Sequence, residues 1–279
     1  MTKLSIVIPI FNEAKTLKEL LNKVAGQNVF NLPKELILVE SNSTDGSRKI
    51  AQSFFENRNL YAASQVEVKL VLQEMPRGKG HAVREGLSAI TGDIVLIQDS
   101  DLEYDVGDYP LVVAPILEGK TDFVLGSRHL SAGSWRIRKF ESNPFKSLLL
   151  NFGGILFHGF FNILFGVRLT DPTTMYKVFR RHCIQGLSFE CNRFDFDFEL
   201  LGKLIRAGYV PLEVPITYKS RGFEEGKKVR IIRDPLTWIV AILKARFSNL
   251  RSSTLGENPQ LDSKYEGAPS AEKTTDAPA

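Results

Sequence analysis

Residues 94–97, Ile-Val-Leu-Ile, form an unbroken apolar run. It predicts a strand buried on both faces, the pattern of a parallel sheet covered by helices. The residues after the run are equally restrictive. Acidic side chains stand at every second position, Asp99, Asp101 and Glu103, with Ser100 between the first two. In open α/β sheets, ligands bind outside the carboxyl ends of the strands. Carboxylates gathered there repel one another unless a cation lies between them. Hard oxygen donors suit Mg²⁺ or Mn²⁺, and Mg²⁺ commonly combines one or two carboxylates with substrate phosphates. The motif therefore points to a metal site holding a nucleotide-linked substrate. The bland alternative is a solvated acidic turn, and the rest of the chain has to decide.

The rest of the first half repeats the same unit. Lys3 to Ile10 predicts a strand, followed by a helix with Asn12 as its N-cap and Leu17, Leu20, Leu21 and Val24 at helical spacing, stopping at Gly26. Leu36 to Val39 predicts a second buried strand, and the polar stretch Glu40 to Ser47 leads into a helix through Phe54 and Phe55. Val66 to Leu72 is a third strand. Arg77-Gly78-Lys79-Gly80 then opens a helix through Ala82, Val83, Leu87 and Ile90. Beyond the acidic motif come a helix near Tyr109 to Leu117 and a strand Phe123 to Gly126. This alternation predicts an α/β fold with a mostly parallel sheet and right-handed crossovers. Glu40, the Gly78 loop and Asp99 then meet at one sheet edge.

After Arg128 the pattern changes. Phe145 to Phe165 is strongly apolar, but Asn151, His158, Asn162 and several glycines interrupt it. A helix buried in the protein or lying on a membrane surface fits better than a spanning one. Asp171 to Thr174 predicts a turn and Met175 to Phe179 a short strand. The alternating Phe194 to Glu199 runs into a helix ending near Ala207. Tyr209 to Tyr218, broken by Pro211 and Pro215, predicts an edge strand. Asp234-Pro235 suits the start of a helix reaching Phe247. From Arg251 onward apolar periodicity vanishes, which predicts a disordered tail over 251–279.

Two cysteines, Cys183 and Cys191, build neither a disulfide framework nor a zinc set. A net charge of +4 is too mild to argue for nucleic acid. The four histidines show no metal-ligand spacing, and no Gly-x-Ser-x-Gly elbow is present. The N-terminus enters a strand directly, so no secretory signal is visible. Lys79 and its glycines can approach a phosphate, or simply make a tight turn. Arg221, Lys227, Lys228 and Arg230 form a basic cluster, either a solvated loop or a cover that neutralises a departing diphosphate.

Taken together and in order, Ile6 to Glu13, Glu40 to Ser47, Gly78-Lys79-Gly80, Asp99-Ser100-Asp101, Gly126-Ser127-Arg128 and Glu213 to Ile216 with the Arg221–Lys227 loop resemble a known family. The chain is similar to family 2 glycosyltransferases of the GT-A fold, and within them to the dolichyl- or polyprenyl-phosphate mannosyl- and glucosyltransferases, over about residues 3–247. The resemblance implies an inverting, metal-dependent transfer from a GDP- or UDP-hexose to a lipid phosphate. It places Pro9, Phe11, Glu13, Leu38 and Glu40 around the nucleoside, with Lys79 and Ser100 nearby. It makes Asp99, Asp101 and Glu103 the metal and diphosphate motif. It sets Arg128 by the sugar and acceptor phosphate, Asp171 and Phe196 to Glu199 in the acceptor half, and Arg221 and Lys227 over the phosphates. Asp101, Arg128 and Asp171 are the implied catalytic set.

Glu40 stands where the family usually has Asp, Glu103 where it often has Gln, and Gly226 where this group commonly has Ser. The implied organisation is a catalytic domain over 1–250, with a nucleotide-sugar half to 128 and an acceptor half beyond it. The implied location is the cytoplasmic face of a membrane, held peripherally or through an anchoring partner. Arg230, Arg233, Lys244, Arg246 and Arg251 flank the last helix and suit anionic headgroups. Other readings stay open: transfer to a saccharide or small soluble acceptor, a non-catalytic nucleotide-sugar-binding subunit, or a sugar nucleotidyltransferase. The last should carry a glycine-rich basic N-terminal loop, which residues 8–13 lack.

Overall fold

The apolar runs become strands, and the strands assemble in an order that opens a crevice. The computed structural model describes residues 2–132, 144–220 and 233–250. The basic loop with Arg221, Lys227, Lys228 and Arg230, and the tail from Arg251, lie outside the described residues. Strands β1 (Leu4–Ile10), β2 (Lys34–Glu40), β3 (Val66–Leu72) and β4 (Ile94–Ile97) are joined by helices α1 (Ala14–Gly26), α2 (Ser47–Glu56) and α3 (Lys79–Ser88). Helix α4 (Tyr109–Leu117) leads to β5 (Phe123–Ser127), and α5 (Arg128–Ala132) comes next. The second half holds α6 (Pro144–Phe165), β6 (Lys177–Arg180), α7 (Phe196–Arg206), β7 (Leu212–Pro215) and α8 (Arg233–Phe247).

The seven strands are ordered β3-β2-β1-β4-β6-β5-β7. Pairs β1–β2, β2–β3, β1–β4 and β5–β7 are parallel, as the strand–helix alternation predicts. Every residue of β1, β2 and β4 is buried, because helices cover both faces. The chain winds outward from β1 to β3 and then returns to β4 on the other side of β1. That reversal splays the connections at the carboxyl ends of β1 and β4 and leaves a crevice between them.

β6 departs from the alternation. It runs antiparallel to both β4 and β5. Its strand begins two residues later than the Met175 expected from sequence. The reason is where it starts: α6 and the Asp171–Thr174 turn deliver the chain to the crevice edge, so β6 must run away from it. β7 is the edge strand that its prolines predict.

Asn12 does not cap α1. It has φ 51, and its Oδ1 accepts a hydrogen bond from Thr44 N at 2.9 Å. The cap comes from across the chain: Asp45 Oδ2 accepts from Ala14 N (2.9 Å) and Ser47 Oγ from Glu13 N (2.8 Å). The Ser43–Ser47 stretch therefore holds α1 at the mouth of the crevice. Among the described residues, no helix is long and apolar enough to cross a membrane.

Candidate active site

A cleft of about 680 Å³ opens at the carboxyl ends of β1, β2 and β4. Of the sequence-predicted residues, Pro9, Phe11, Glu13, Lys79, Asp99, Ser100, Asp101, Glu103 and Arg128 line it. Leu38 and Glu40 do not. Leu38 is a core residue of β2. Glu40 is fully buried, and its carboxylate accepts from the backbone N–H groups of Asn42 (3.1 Å) and Ser43 (2.7 Å), with Arg48 Nη1 at 3.5 Å. It shapes the loop from behind, and the next residue, Ser41, reaches the cleft instead.

The acidic motif is a turn and not a continuation of β4. Buried Gln98 anchors it: its Oε1 accepts from the Tyr109 and Tyr176 hydroxyls, each at 2.9 Å. Leu102 turns the chain with φ 38, and Asp101 Oδ1 accepts from Glu103 N at 3.1 Å. Glu103 then accepts from the Tyr218 hydroxyl at 2.6 Å. Lys79 Nζ lies 2.7 Å from Asp99 Oδ1, so a positive charge already sits against this carboxylate. Two hard carboxylates facing a cleft wide enough to admit phosphate oxygens are a donor set that fits a divalent ion. Asp99 and Asp101 would hold it, with Glu103 beside them.

The glycines around Lys79 serve packing. A side chain at Gly78, where φ is +104, would collide with the Asn192 carbonyl oxygen. One at Gly80 would meet Phe196 Cβ at 2.5 Å and Cys191 O at 2.8 Å. Their absence lets the 191–196 segment lie directly on the start of α3.

Arg128 forms the opposite wall. It begins α5, and its guanidinium grips Asp171 through two bonds, Nε to Oδ2 at 2.6 Å and Nη2 to Oδ1 at 2.7 Å. Nη2 also donates to Thr173 Oγ1 at 2.7 Å. Tyr218 and Tyr104 face it, with Cζ 5.0 and 6.0 Å from their ring centroids. Burial would raise the Asp171 carboxyl, but the Arg128 charge outweighs this and holds it well below the usual carboxylate range. Asp171 is fully buried and outside the cleft lining. It orients Arg128, while Glu213 in turn accepts from the Thr170 and Asp171 N–H groups at 2.8–3.0 Å.

From the predicted Phe196–Glu199 stretch, only Asp197 and Phe198 line the cleft. Lys177 is fully buried with Nζ 3.5 Å from Asp197 Oδ1. Glu199 holds the preceding loop, accepting from Glu190 N and Cys191 N and pairing with Lys203 at 2.8 Å. Trp238 of α8 closes the apolar end, packed against Phe157 and Phe198.

Ser41, Tyr104, Thr173, Tyr218 and Trp238 join the site without any local sequence signal, because each reaches it through tertiary packing. His129 and His158, whose spacing in the sequence gives no metal-ligand signal, lie with Asp171 in the one group of three His, Cys, Asp or Glu side chains among the described residues whose ligand atoms fall within 4.8 Å of one another. Asp171 already spends both oxygens on Arg128, and a guanidinium repels a metal ion. That trio does not fit a cation.

The sequence matches the family model for glycosyl transferase family 2 over residues 5–185. The chain is 28% identical over 245 residues to a dolichol-phosphate mannosyltransferase of Pyrococcus furiosus. That alignment covers 87% of this chain but only 64% of the length of the relative. The fold is similar to that of glucosyl-3-phosphoglycerate synthase from Mycobacterium tuberculosis in complex with Mn²⁺, UDP and phosphoglyceric acid. The TM-score is 0.59 at 19% identity, with 90% of this chain and 80% of that one covered. The same enzyme in complex with Mg²⁺ and UDP gives 0.54 at 20% identity, with 88% and 79% covered. With the family match spanning well over half of its length, this chain belongs to glycosyl transferase family 2.

Proposed function

We propose that this enzyme transfers a hexose, mannose or glucose, from a GDP- or UDP-sugar to a polyprenyl or dolichyl phosphate, with inversion at the anomeric carbon and with Mg²⁺ or Mn²⁺ as cofactor. One observation carries the lipid acceptor. Helices α6 and α8, which pack on each other beside the cleft, leave apolar side chains in solvent: Phe152 (53% exposed), Leu156 (58%) and Ile163 (85%) on α6, Val240 (51%) and Phe247 (71%) on α8. The α6 residues fall at spacings of four and seven, so they share a stripe. Lys244 and Arg246 add positive charge near the end of α8. An apolar stripe with a basic border suits a bilayer surface with anionic headgroups. The similarity to a dolichol-phosphate mannosyltransferase supports the same choice.

The residues divide the work. Pro9, Phe11, Glu13 and Ser41 receive the nucleoside end of the donor. Arg128, desolvated and locked by Asp171, receives the acceptor phosphate. That phosphate is already ionised, so it attacks without losing a proton to the protein. The acceptor oxygen bonds the anomeric carbon as the bond to the nucleoside diphosphate breaks. A cation held by Asp99 and Asp101 would stabilise charge on that leaving group. The protein's own part is to align the two phosphates across the cleft and to exclude water between them.

A second reading keeps the donor and replaces the lipid with a soluble phosphate-bearing acceptor. It is favoured by the fold shared with glucosyl-3-phosphoglycerate synthase, whose complexes contain phosphoglyceric acid. Labelled GDP- and UDP-hexoses, offered with polyprenyl phosphate or with phosphoglycerate and with Mg²⁺ or Mn²⁺, separate the two. Label moving into the organic phase, lost on chelation, is the expected outcome. Label confined to phosphoglycerate would replace the lipid reading with the soluble one.

A further inference from the structure

Lys79 stands between the two halves of the cleft. Its backbone position is fixed by Gly78 and Gly80, which pack against the 191–196 segment. The side chain is 16% exposed and ends 2.7 Å from Asp99 Oδ1. The carboxylates of Asp99, Asp101 and Asp197 surround the ammonium. Asp197 is shared: Lys177 Nζ approaches it to 3.5 Å. The Lys79 ammonium therefore neutralises the donor-side carboxylate Asp99 while also within the field of the acceptor-side Asp197.

A divalent ion on Asp99 and Asp101 competes with this ammonium for the same oxygens. Like charges a few ångström apart repel strongly in a site of reduced dielectric. We propose that Lys79 is a displaceable counter-ion: it neutralises Asp99 in the empty cleft, leaves when a divalent cation binds, and passes to the diphosphate entering with that cation. The proposal rests on Asp99 and Asp101 being the metal ligands. Its consequence is linkage between ligands. A cation arriving alone must break the Lys79–Asp99 pair and strand the ammonium, so it binds weakly. A nucleoside diphosphate gives the ammonium a new partner, so cation and nucleotide strengthen each other's binding reciprocally. Lys79 is on this reading a positioning residue that makes donor and metal load together.

The test is Mn²⁺ titration of the full chain, followed by the electron paramagnetic resonance of free Mn²⁺, without nucleotide and with saturating UDP or GDP. In K79M, Mn²⁺ alone should bind about 10-fold tighter than in the unmodified protein, and the gain on adding nucleotide should shrink by about the same factor, leaving only the direct cation–diphosphate attraction. K79R keeps the charge and should keep both weak binding alone and strong synergy. K79Q carries the same comparison should the methionine variant be unstable. If K79M binds Mn²⁺ no tighter while Asp101→Ala abolishes binding, the counter-ion role is overturned and the metal ligands stand. If the unmodified protein binds no Mn²⁺ even with nucleotide, the metal assignment falls and the proposal with it.

Discussion

The two edges of the sheet treat buried charge in opposite ways. At the amino-terminal edge, Glu35 is fully buried and saturated. Its carboxylate accepts from Ser5 Oγ (2.5 Å), Thr91 N (2.5 Å), Thr91 Oγ1 (2.7 Å) and Gly92 N (3.0 Å), and it pairs with Lys69 (2.8 Å) and Lys3 (3.0 Å). Those partners come from β1, β3 and the approach to β4, so one side chain ties the parallel core together. At the carboxyl-terminal edge, Asp99, Asp101, Lys79 and Arg128 face a cleft. The Lys79–Asp99 and Arg128–Asp171 pairs hold the two walls in place, yet leave room for a ligand of either sign. A saturated charge cluster contributes to stability, whereas one open to a cleft is available for binding and chemistry.

The sharpest way to break that contrast is to remove one carboxylate from each edge. Asp101→Ala should lower sugar transfer by roughly 10³-fold, the scale on which a leaving-group stabiliser matters. Its effect on unfolding free energy should stay below about 1 kcal/mol, since it sits in a partly exposed turn. Transfer assays with the donor panel, alongside denaturant unfolding, read both. Near-normal turnover would remove Asp101 from the catalytic machinery.

Glu35→Ala should do the reverse. It removes the acceptor shared by the Ser5 hydroxyl, the Thr91 N–H and hydroxyl, and Lys69, a lesion worth roughly 1–3 kcal/mol of stability. Below its lowered melting temperature, the variant should still bind nucleotide as the unmodified protein does, because Glu35 lies at the far edge from the cleft. Urea unfolding with isothermal titration of UDP or GDP checks the pair of outcomes. Weakened nucleotide binding in the folded variant would mean that the two edges are not separable.

The same contrast explains what was legible in the sequence. β1 to β4 and their helices follow local periodicity, so the parallel sheet and the crevice at Asp99 could be read from short windows. The direction of β6 could not, because it depends on where α6 leaves the chain. Glu40 and Ser41 are neighbours, yet one is sealed inside and the other reaches the cleft. Composition marks the first as the stronger ligand, and only the loop's hydrogen bonds reveal the exchange. Arg128 was visible at a strand end, but its grip on Asp171 joins residues 43 positions apart. Tyr218 reaches Glu103 across 115. Such contacts leave no periodic trace.

Acid titration sharpens the comparison with the smallest perturbation. Burial alone would raise the Glu35 carboxyl, but hydrogen bonds from Lys69, Ser5 and Thr91 outweigh it and hold it far below the usual carboxylate range. The unfolded chain therefore takes up this proton at a higher pH than the folded one. The resulting stability is fully present above the unfolded value of about 4.3 and is lost as pH falls toward the depressed folded one. Glu35→Gln cannot titrate there, so the stability gap between it and the unmodified protein should be widest near pH 7. The gap should narrow steadily below about pH 4. Asp171 is depressed in the same direction by Arg128, so Asp171→Asn should show the same narrowing. The two differ in function: the Asp171 variant frees Arg128 and should weaken acceptor use, whereas the Glu35 variant should leave it unchanged. Unfolding free energies measured from pH 3 to 7 decide the matter. A gap that stays constant across that range would show that the Glu35 carboxylate is not held as a buried anion.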